Sequence, residues 1–149
     1  MRIENNTIYF YGSSEPFSNW YKCDFKMGNV IFNCSEQALM YSKALYFKDT
    51  KTAEKILKTK NPRKQKELGR QVSNYEDKMW SDVRQNIMTE ILKHKFNSEA
   101  LKYLKEKYKE YEFVEASPYD KIWGVGLDEN NWLGQNLLGK CITNCFKGE

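Results

Sequence analysis

The sequence has little of what several common catalytic and structural plans require. One histidine, His94, occurs in 149 residues, so a histidine-based zinc site and a Ser-His-Asp triad are both poorly supplied. The four cysteines, Cys23, Cys34, Cys141 and Cys145, contain no CxxC. They do not make a disulfide framework in a chain of this length. Cys141 and Cys145 lie four apart on a helical pattern with Leu137, Leu138 and Ile142, which predicts core packing rather than a metal pair. No apolar run approaches the ~20 residues of a membrane-crossing helix, and no secretory leader pattern stands out. Neither GxGxxG nor a strand–GxxxxGK[ST]–helix order occurs, which excludes the common phosphate-cradling loops. Repeats, linkers and low-complexity tracts are lacking, so a single domain over residues 1–149 is expected. The default compartment is a reducing cytoplasm, with no metal, no cofactor, no membrane and no obligate protein partner.

What is present is globular in balance. The chain is 40% hydrophobic and 30% charged, too apolar for disorder. Ten Tyr, eight Phe and four Trp exceed what a plain helical bundle needs, so some rings are available to line a site. The net charge of +4 favours an anionic ligand. The lysines are scattered, which gives no nucleic-acid footprint.

Thr7 to Tyr11 is β-prone, and Asn29 to Phe32 is a short strand candidate. Helical patterns follow from Cys34 to Phe47, from Thr50 to Lys58 and, after a break at Asn61-Pro62, up to Gly69-Arg70. Ser81 is placed to cap a long helix to about Phe96, with Val83, Ile87, Met88, Ile91 and Leu92 in period and His94 in a polar, cap-side role. Ser98 caps the next helix, carrying Leu101, Leu104 and Tyr108. Glu112 to Ala116 is a strand candidate, and a last helix runs from about Asn136 to Phe146. The expected class is α+β, predominantly helical, with a few short strands.

Within the first helix, CSEQALMYSKALYF, two charges interrupt the greasy stripe. At about 100° per residue, Lys43 falls roughly 20° from Glu36, with Leu39, Met40 and Phe47 all within about 60°. The charges are about 10 Å apart along the axis, too far for an ordinary surface pair. Glu36 has an alternative as first-turn acid or as the end of an Asn33-x-x-Glu36 capping box. Lys43 has an alternative as a stem laid on the core with its amine in water.

Two loops carry mixed chemistry. Pro16-Phe17-Ser18-Asn19-Trp20 joins aromatics to a hydroxyl and an amide. Asp120-Lys121-Ile122-Trp123-Gly124-Val125-Gly126 joins a carboxylate, an indole and two glycines, Gly124 and Gly126, that let backbone approach a ligand. Tryptophan and phenylalanine faces suit stacking on a base. The second loop is equally readable as a turn made by Asp120, with Trp123 in the core and the glycines supplying positive φ.

The ordered series Phe10-Tyr11, Phe17-Ser18-Asn19-Trp20, Ser35-Glu36-Gln37 with Lys43, Gly69-Arg70, Trp80 to Phe96, Val114 to Gly126 and Gly134 to Gly139 resembles the NADAR (YbiA-like) family. The match covers nearly the whole chain. The resemblance implies an enzyme that cleaves an N-glycosidic bond to ribose. Its substrate would be ADP-ribose on modified guanine in nucleic acid or nucleotides, or a phosphoribosylated intermediate of riboflavin synthesis. A non-catalytic ADP-ribose or nucleotide sensor is the alternative. Family acid and lysine positions match Glu36 and Lys43, and its aspartate and tryptophan match Asp120 and Trp123. The chain departs from the pattern at Gln37, where histidine is common, at Met40-Tyr41, at Trp20, and near Phe146, where an arginine is common.

A chemistry for these residues follows. Lys43, kept neutral by burial, is expected as the nucleophile, or else as a charge partner of the substrate, and Glu36 as the acid/base or the stabiliser of the ribosyl cation. Asp120 binds ribose hydroxyls or orients water, Phe17, Ser18 and Trp20 wall the pocket with Trp123, and Asn19 bonds the sugar. Arg70 pairs with phosphate.

Overall fold

The computed structural model describes residues 1–126 and 131–148. Among them the chain forms six helices and five short strands, the α+β class expected. It divides into two compact units, Lys22–Lys95 and Met1–Tyr21 with Phe96–Glu149.

The Lys22–Lys95 unit opens with a hairpin of β1 (Phe25–Met27) and β2 (Val30–Phe32), turned at Gly28 with φ +61. The two strands are antiparallel, with Phe25 opposite Phe32 and their rings 5.9 Å apart. Four helices follow: α1 (Ser35–Tyr46), α2 (Thr50–Lys58), α3 (Pro62–Arg70) and α4 (Asp77–Lys95). Their starts are chemically marked. Asp49 accepts from the Thr52 N–H at the head of α2, and Asn61 accepts from the Arg63 and Lys64 N–H groups at the head of α3. Pro62 sits in the first turn, where its missing N–H costs nothing. The Asn61-Pro62 break is therefore a helix start.

Helix α1 packs against α2, α3 and α4. Ser35, Glu36, Gln37, Ala38, Leu39 and Met40 are all buried. The expected single stripe is thus replaced by burial all round the N-terminal half, because neighbours stand on every side. Helix α4 begins at Asp77, one turn before the cap expected at Ser81. Ser81 instead lies inside the helix and donates its hydroxyl to the Lys78 carbonyl. The buried stripe of α4 runs Trp80, Arg84, Met88, Ile91, Leu92 and Lys95. Val83 and Ile87, expected to point inward, are only half-buried.

The other unit holds three more strands, β3 (Arg2–Glu4), β4 (Thr7–Phe10) and β5 (Glu112–Glu115), with α5 (Lys102–Lys107) and α6 (Leu137–Lys147). β3 pairs with β4 antiparallel through a turn at Asn5 and Asn6, both with positive φ, the signature of a tight two-residue hairpin. β4 pairs with β5 in parallel, Ile8 opposite Phe113. Ile8 and Phe10 alternate inward. Helix α6 lies on β5, and Gly139 permits the approach: a Cβ there would sit 2.2 Å from the Phe113 carbonyl oxygen. Asn136 clamps the same strand, accepting from the Glu115 N–H and donating to the Phe113 carbonyl. Cys141 and Cys145 are buried on α6, as their spacing predicts.

Candidate active site

The two charges of α1 are held in the Lys22–Lys95 unit. Glu36 is buried, at 7% exposure. The capping-box alternative for it is not realised, because Cys34 is the N-cap and offers no side-chain cap. Asn33, which would have capped, instead donates to the Lys60 carbonyl and accepts from Gln65. Gln37 fixes this end of the helix. Its carboxamide donates to the carbonyls of Ile56, Leu57 and Thr59 and accepts from the Asn33 N–H at 2.8 Å. The Cys34 thiol donates to Gln65 Oε1 and, chiefly through burial, its pKa is pushed up to about 11. It is therefore a neutral packing group and not a nucleophile.

Two turns on, Lys43 is half-buried, with Nζ over the Tyr75 ring at 4.5 Å from its centroid. Burial holds its ammonium below the usual lysine range, Glu36 works against that, the Arg70 charge adds to it, and Asp77 opposes it. Tyr75 donates its hydroxyl to Asp77 Oδ1 at 2.7 Å. The Tyr75 ring in turn packs on Phe47, and Phe47 and Tyr46 pack on Trp80. The amine thus rests on an aromatic wall, with the Glu36 carboxylate two turns earlier on the same helix. Arg70 is exposed at the end of α3. Gly69 before it brings α3 onto α1: a Cβ there would collide with the Met40 side chain.

The remaining expected residues lie in the other unit. Phe17 is fully buried and packs on Phe10, Phe96, Tyr108, Phe113 and Phe146. Its ring has no surface left for a ligand, so the expected pocket wall is a core residue. Ser18 is buried and its hydroxyl accepts from the Trp20 N–H. Asn19 is buried at 7% exposure, and its Oδ1 has no hydrogen-bond partner among the described residues, an acceptor that calls for one. Trp20 is half-buried.

Asp120 makes the turn: Oδ1 accepts from the Ile122 and Trp123 N–H groups. Trp123 is half-buried rather than in the core. The glycines are accounted for by backbone packing rather than by a ligand. A Cβ on Gly124 would press on the Asp120 and Glu115 carbonyls, and Gly126 has φ +78. Carbonyls of Ile122, Trp123 and Gly124 accept the N–H groups of Leu137, Leu138 and Asn136. The loop itself thus caps α6. Among the described residues no three His, Cys, Asp or Glu side chains could hold a metal ion together, and no helix is long and apolar enough to cross a membrane.

Comparison with known proteins decides the family. The NADAR domain profile matches residues 9–145. The chain belongs to the NADAR domain family. It is 36% identical to N-glycosidase R617 of Acanthamoeba polyphaga mimivirus, with 91% of each chain covered. It is 37% identical to protein irg-1 of Caenorhabditis elegans, over 91% of this chain and 76% of that one. The solution structure of YbiA from E. coli superposes with a TM-score of 0.81 at 26% identity, covering 99% of this chain and 86% of that one.

Within this NADAR chain the departures have structural reasons. Gln37 joins the head of α1 to the tail of α2, Tyr41 stacks on Phe32, and Phe146 is one of the core rings around Phe17. Three polar residues of the Lys22–Lys95 unit escaped the sequence reading. Tyr75 lies in an irregular segment with no period to reveal it. Arg84 and Lys95 fall on the buried stripe of α4, four and fifteen residues after Trp80, the same signal that exposed Glu36 and Lys43. Lys95 is fully buried and acts electrostatically on the Cys23 and Cys34 thiols.

Proposed function

We propose that the protein is an N-glycosidase that cleaves the bond between ribose C1 and a base nitrogen, its substrate being ADP-ribose attached to guanine in nucleotides or nucleic acid. The observation that carries this is the state of Lys43: an amine on an aromatic wall, driven toward its neutral form by burial and by Arg70, on the helix that also buries Glu36. The bond type is supported by the NADAR relatives R617 of the mimivirus and YbiA of E. coli strain K12, both named N-glycosidases.

The neutral amine of Lys43 attacks C1 of the ribose, the C1–N bond to the base breaks, and the electron pair leaves with the base, which takes a proton delivered by Glu36. The C1–O4′ bond then breaks as one of the two protons on Nζ passes to the ring oxygen, which leaves C1 joined to Nζ as a protonated imine. Water then adds to C1, Glu36 takes up the proton, and rupture of the C1–Nζ bond frees the sugar and regenerates the amine. The carboxylate that Glu36 becomes on giving up its proton then stabilises the positive charge of the imine.

Arg70 receives phosphate oxygens. The other unit, taken by itself, offers an unpartnered acceptor of the kind a sugar hydroxyl satisfies, Asn19 Oδ1, and stacking faces on the half-buried indoles of Trp20 and Trp123. In that same unit Asp120, whose Oδ1 is used by the Ile122 and Trp123 N–H groups, has in Oδ2 a second carboxylate oxygen suited to a ribose hydroxyl. The compartment is the cytoplasm, in keeping with four free thiols.

The test is to incubate the protein with ADP-ribosylated guanosine and, separately, with a ribosylaminopyrimidine phosphate, and to measure released base by chromatography. Release is expected from the first and is lost in Lys43→Ala and Glu36→Gln with circular dichroism unchanged. Tight binding without release, tolerated by Lys43→Arg, would leave a sensor in place of an enzyme. Release from the pyrimidine alone would reassign the leaving group.

A further inference from the structure

Tyr75 is tied down on several sides, although it lies in an irregular segment and is 42% exposed. Its hydroxyl donates to Asp77 Oδ1 at 2.7 Å. Its ring meets the buried Phe47 edge-on, with centroids 5.3 Å apart. The chain leading to it is anchored as well: the Ser73 N–H donates to Asp49 Oδ2 at 2.8 Å, and Asn74 takes a φ of +63. Together these ties fix the direction of one ring face. That face lies under Lys43 Nζ, 4.5 Å from the ring centroid, inside the ~6 Å over which a ring attracts a cation.

The rest of the surroundings press the amine the other way. Burial first, and Arg70 at the end of α3, favour its neutral form, while Glu36 on α1 and Asp77 on α4 oppose them. The charged side chains of α2, Lys51, Glu54, Lys55 and Lys58, are all exposed. A neutral amine draws little from a ring face; the charge appears when the amine reacts. As the Nζ lone pair forms the bond to ribose C1, the bond from C1 to the base breaks. Its electron pair leaves with the base, which takes the Glu36 proton. Nζ passes from neutral to positive in that step, and the charge persists in the protonated imine. A ring held 4.5 Å from Nζ therefore matches the reacting state better than the neutral resting one.

We propose that Tyr75 is a further catalytic residue, whose ring face stabilises the positive charge that Lys43 Nζ acquires on bonding to ribose. The proposal rests on the N-glycosidase reading for its reaction, and on the fixed ring for its site. Asp77 and Phe47 are the positioning residues that hold the ring.

The test is a pH profile of kcat/KM for base release, from whichever of ADP-ribosylated guanosine and the ribosylaminopyrimidine phosphate is turned over, in the unaltered protein, Tyr75→Phe and Tyr75→Leu. At the alkaline plateau, where Nζ is already neutral, Tyr75→Leu should be slower by about twofold to fivefold, the size of one exposed cation–ring contact. At acid pH the loss should vanish: without the ring the ammonium also sheds its proton more readily, and the two effects offset. Tyr75→Phe keeps a ring and should hold most of the plateau. The phenol stays protonated over this range, because burial and the Asp77 bond push it above its ordinary value against the Arg84 charge, so the profile reads Nζ. A merely structural loss would lower the rate by one factor at every pH. That result, or an unchanged plateau in Tyr75→Leu, would overturn the assignment and leave the glycosidase standing. Should Tyr75→Leu fail to fold, a stepwise fluorinated phenylalanine at this position keeps the shape while draining negative charge from the ring face. The plateau should then fall with each fluorine, and a flat series would overturn the assignment equally. No base release by the unaltered protein from either substrate would retire the glycosidase reading and this role with it.

Discussion

Replacing Phe17 by alanine separates the two roles that an aromatic residue in a loop can have. The ring is wholly buried, and its centroid lies 4.9 Å from that of Phe113, 5.8 Å from Phe10, 6.1 Å from Tyr108, 6.2 Å from Phe96 and 6.3 Å from Phe146. Truncating a buried phenylalanine costs about 3–5 kcal/mol through lost transfer energy and the cavity left behind. Five ring partners put this site toward the upper end, since each tilted or edge-on pair contributes beyond its area. For a chain of this size each kcal/mol lowers Tm by about 2–4 °C. A loss of about 5 kcal/mol therefore predicts a fall of roughly 10–20 °C. Urea and thermal denaturation followed by near-ultraviolet circular dichroism measure it, and Phe17→Leu should recover a large part. Substrate KM, taken well below the new midpoint, should stay at the unaltered value. A Tm within a degree or two of the original, together with a raised KM, would show that the ring faces the ligand and that the core assignment is wrong.

Further outcomes follow from the same geometry. Because the Lys43 amine must be neutral and burial lowers its affinity for a proton, kcat/KM should rise with pH and level off below the ordinary lysine value of 10.5. Arg70→Gln removes a charge that lowers it, so the rise should move to higher pH; a pH–rate profile of both proteins reads the shift. Gly139→Ala should destabilise by about 1–3 kcal/mol despite better helix propensity, since its methyl group meets the Phe113 carbonyl and Asn136. Gln37→Ala removes the donors to Ile56, Leu57 and Thr59 and the acceptor of Asn33, a loss of about 2–3 kcal/mol by urea titration.

Legibility in the sequence tracked how local the determining physics is. Helices α2, α3 and α6 and strand β5 sit within a residue or two of their expected bounds, because Asp49, Asn61 and Pro62 mark starts and the apolar period marks faces. β1 and β3 were missed: each is three residues long, and its strand state depends on a partner rather than on its own pattern. The start of α4 was misread because Ser81 looks like a cap while the helix already exists before it. At the site, charges out of place on apolar stripes were readable for α1, and the same rule applied to Trp80–Arg84–Met88 would have found Arg84. The loops were harder. Asp120 and the glycines serve turns and close backbone approach, Phe17 serves the core, and among the described residues of these two loops Asn19 retains an unmet polar atom. Residue type alone does not distinguish these cases.

The account turns on Lys43 forming a covalent imine with ribose C1. Protein turning over ADP-ribosylated guanosine should be quenched with sodium cyanoborohydride, which reduces a protonated imine to a stable secondary amine, and then digested and analysed by mass spectrometry. The account predicts an ADP-ribosyl adduct on the peptide containing Lys43, absent in Lys43→Arg and absent without substrate. Undiminished turnover with no adduct, or an adduct on a different lysine, would contradict it.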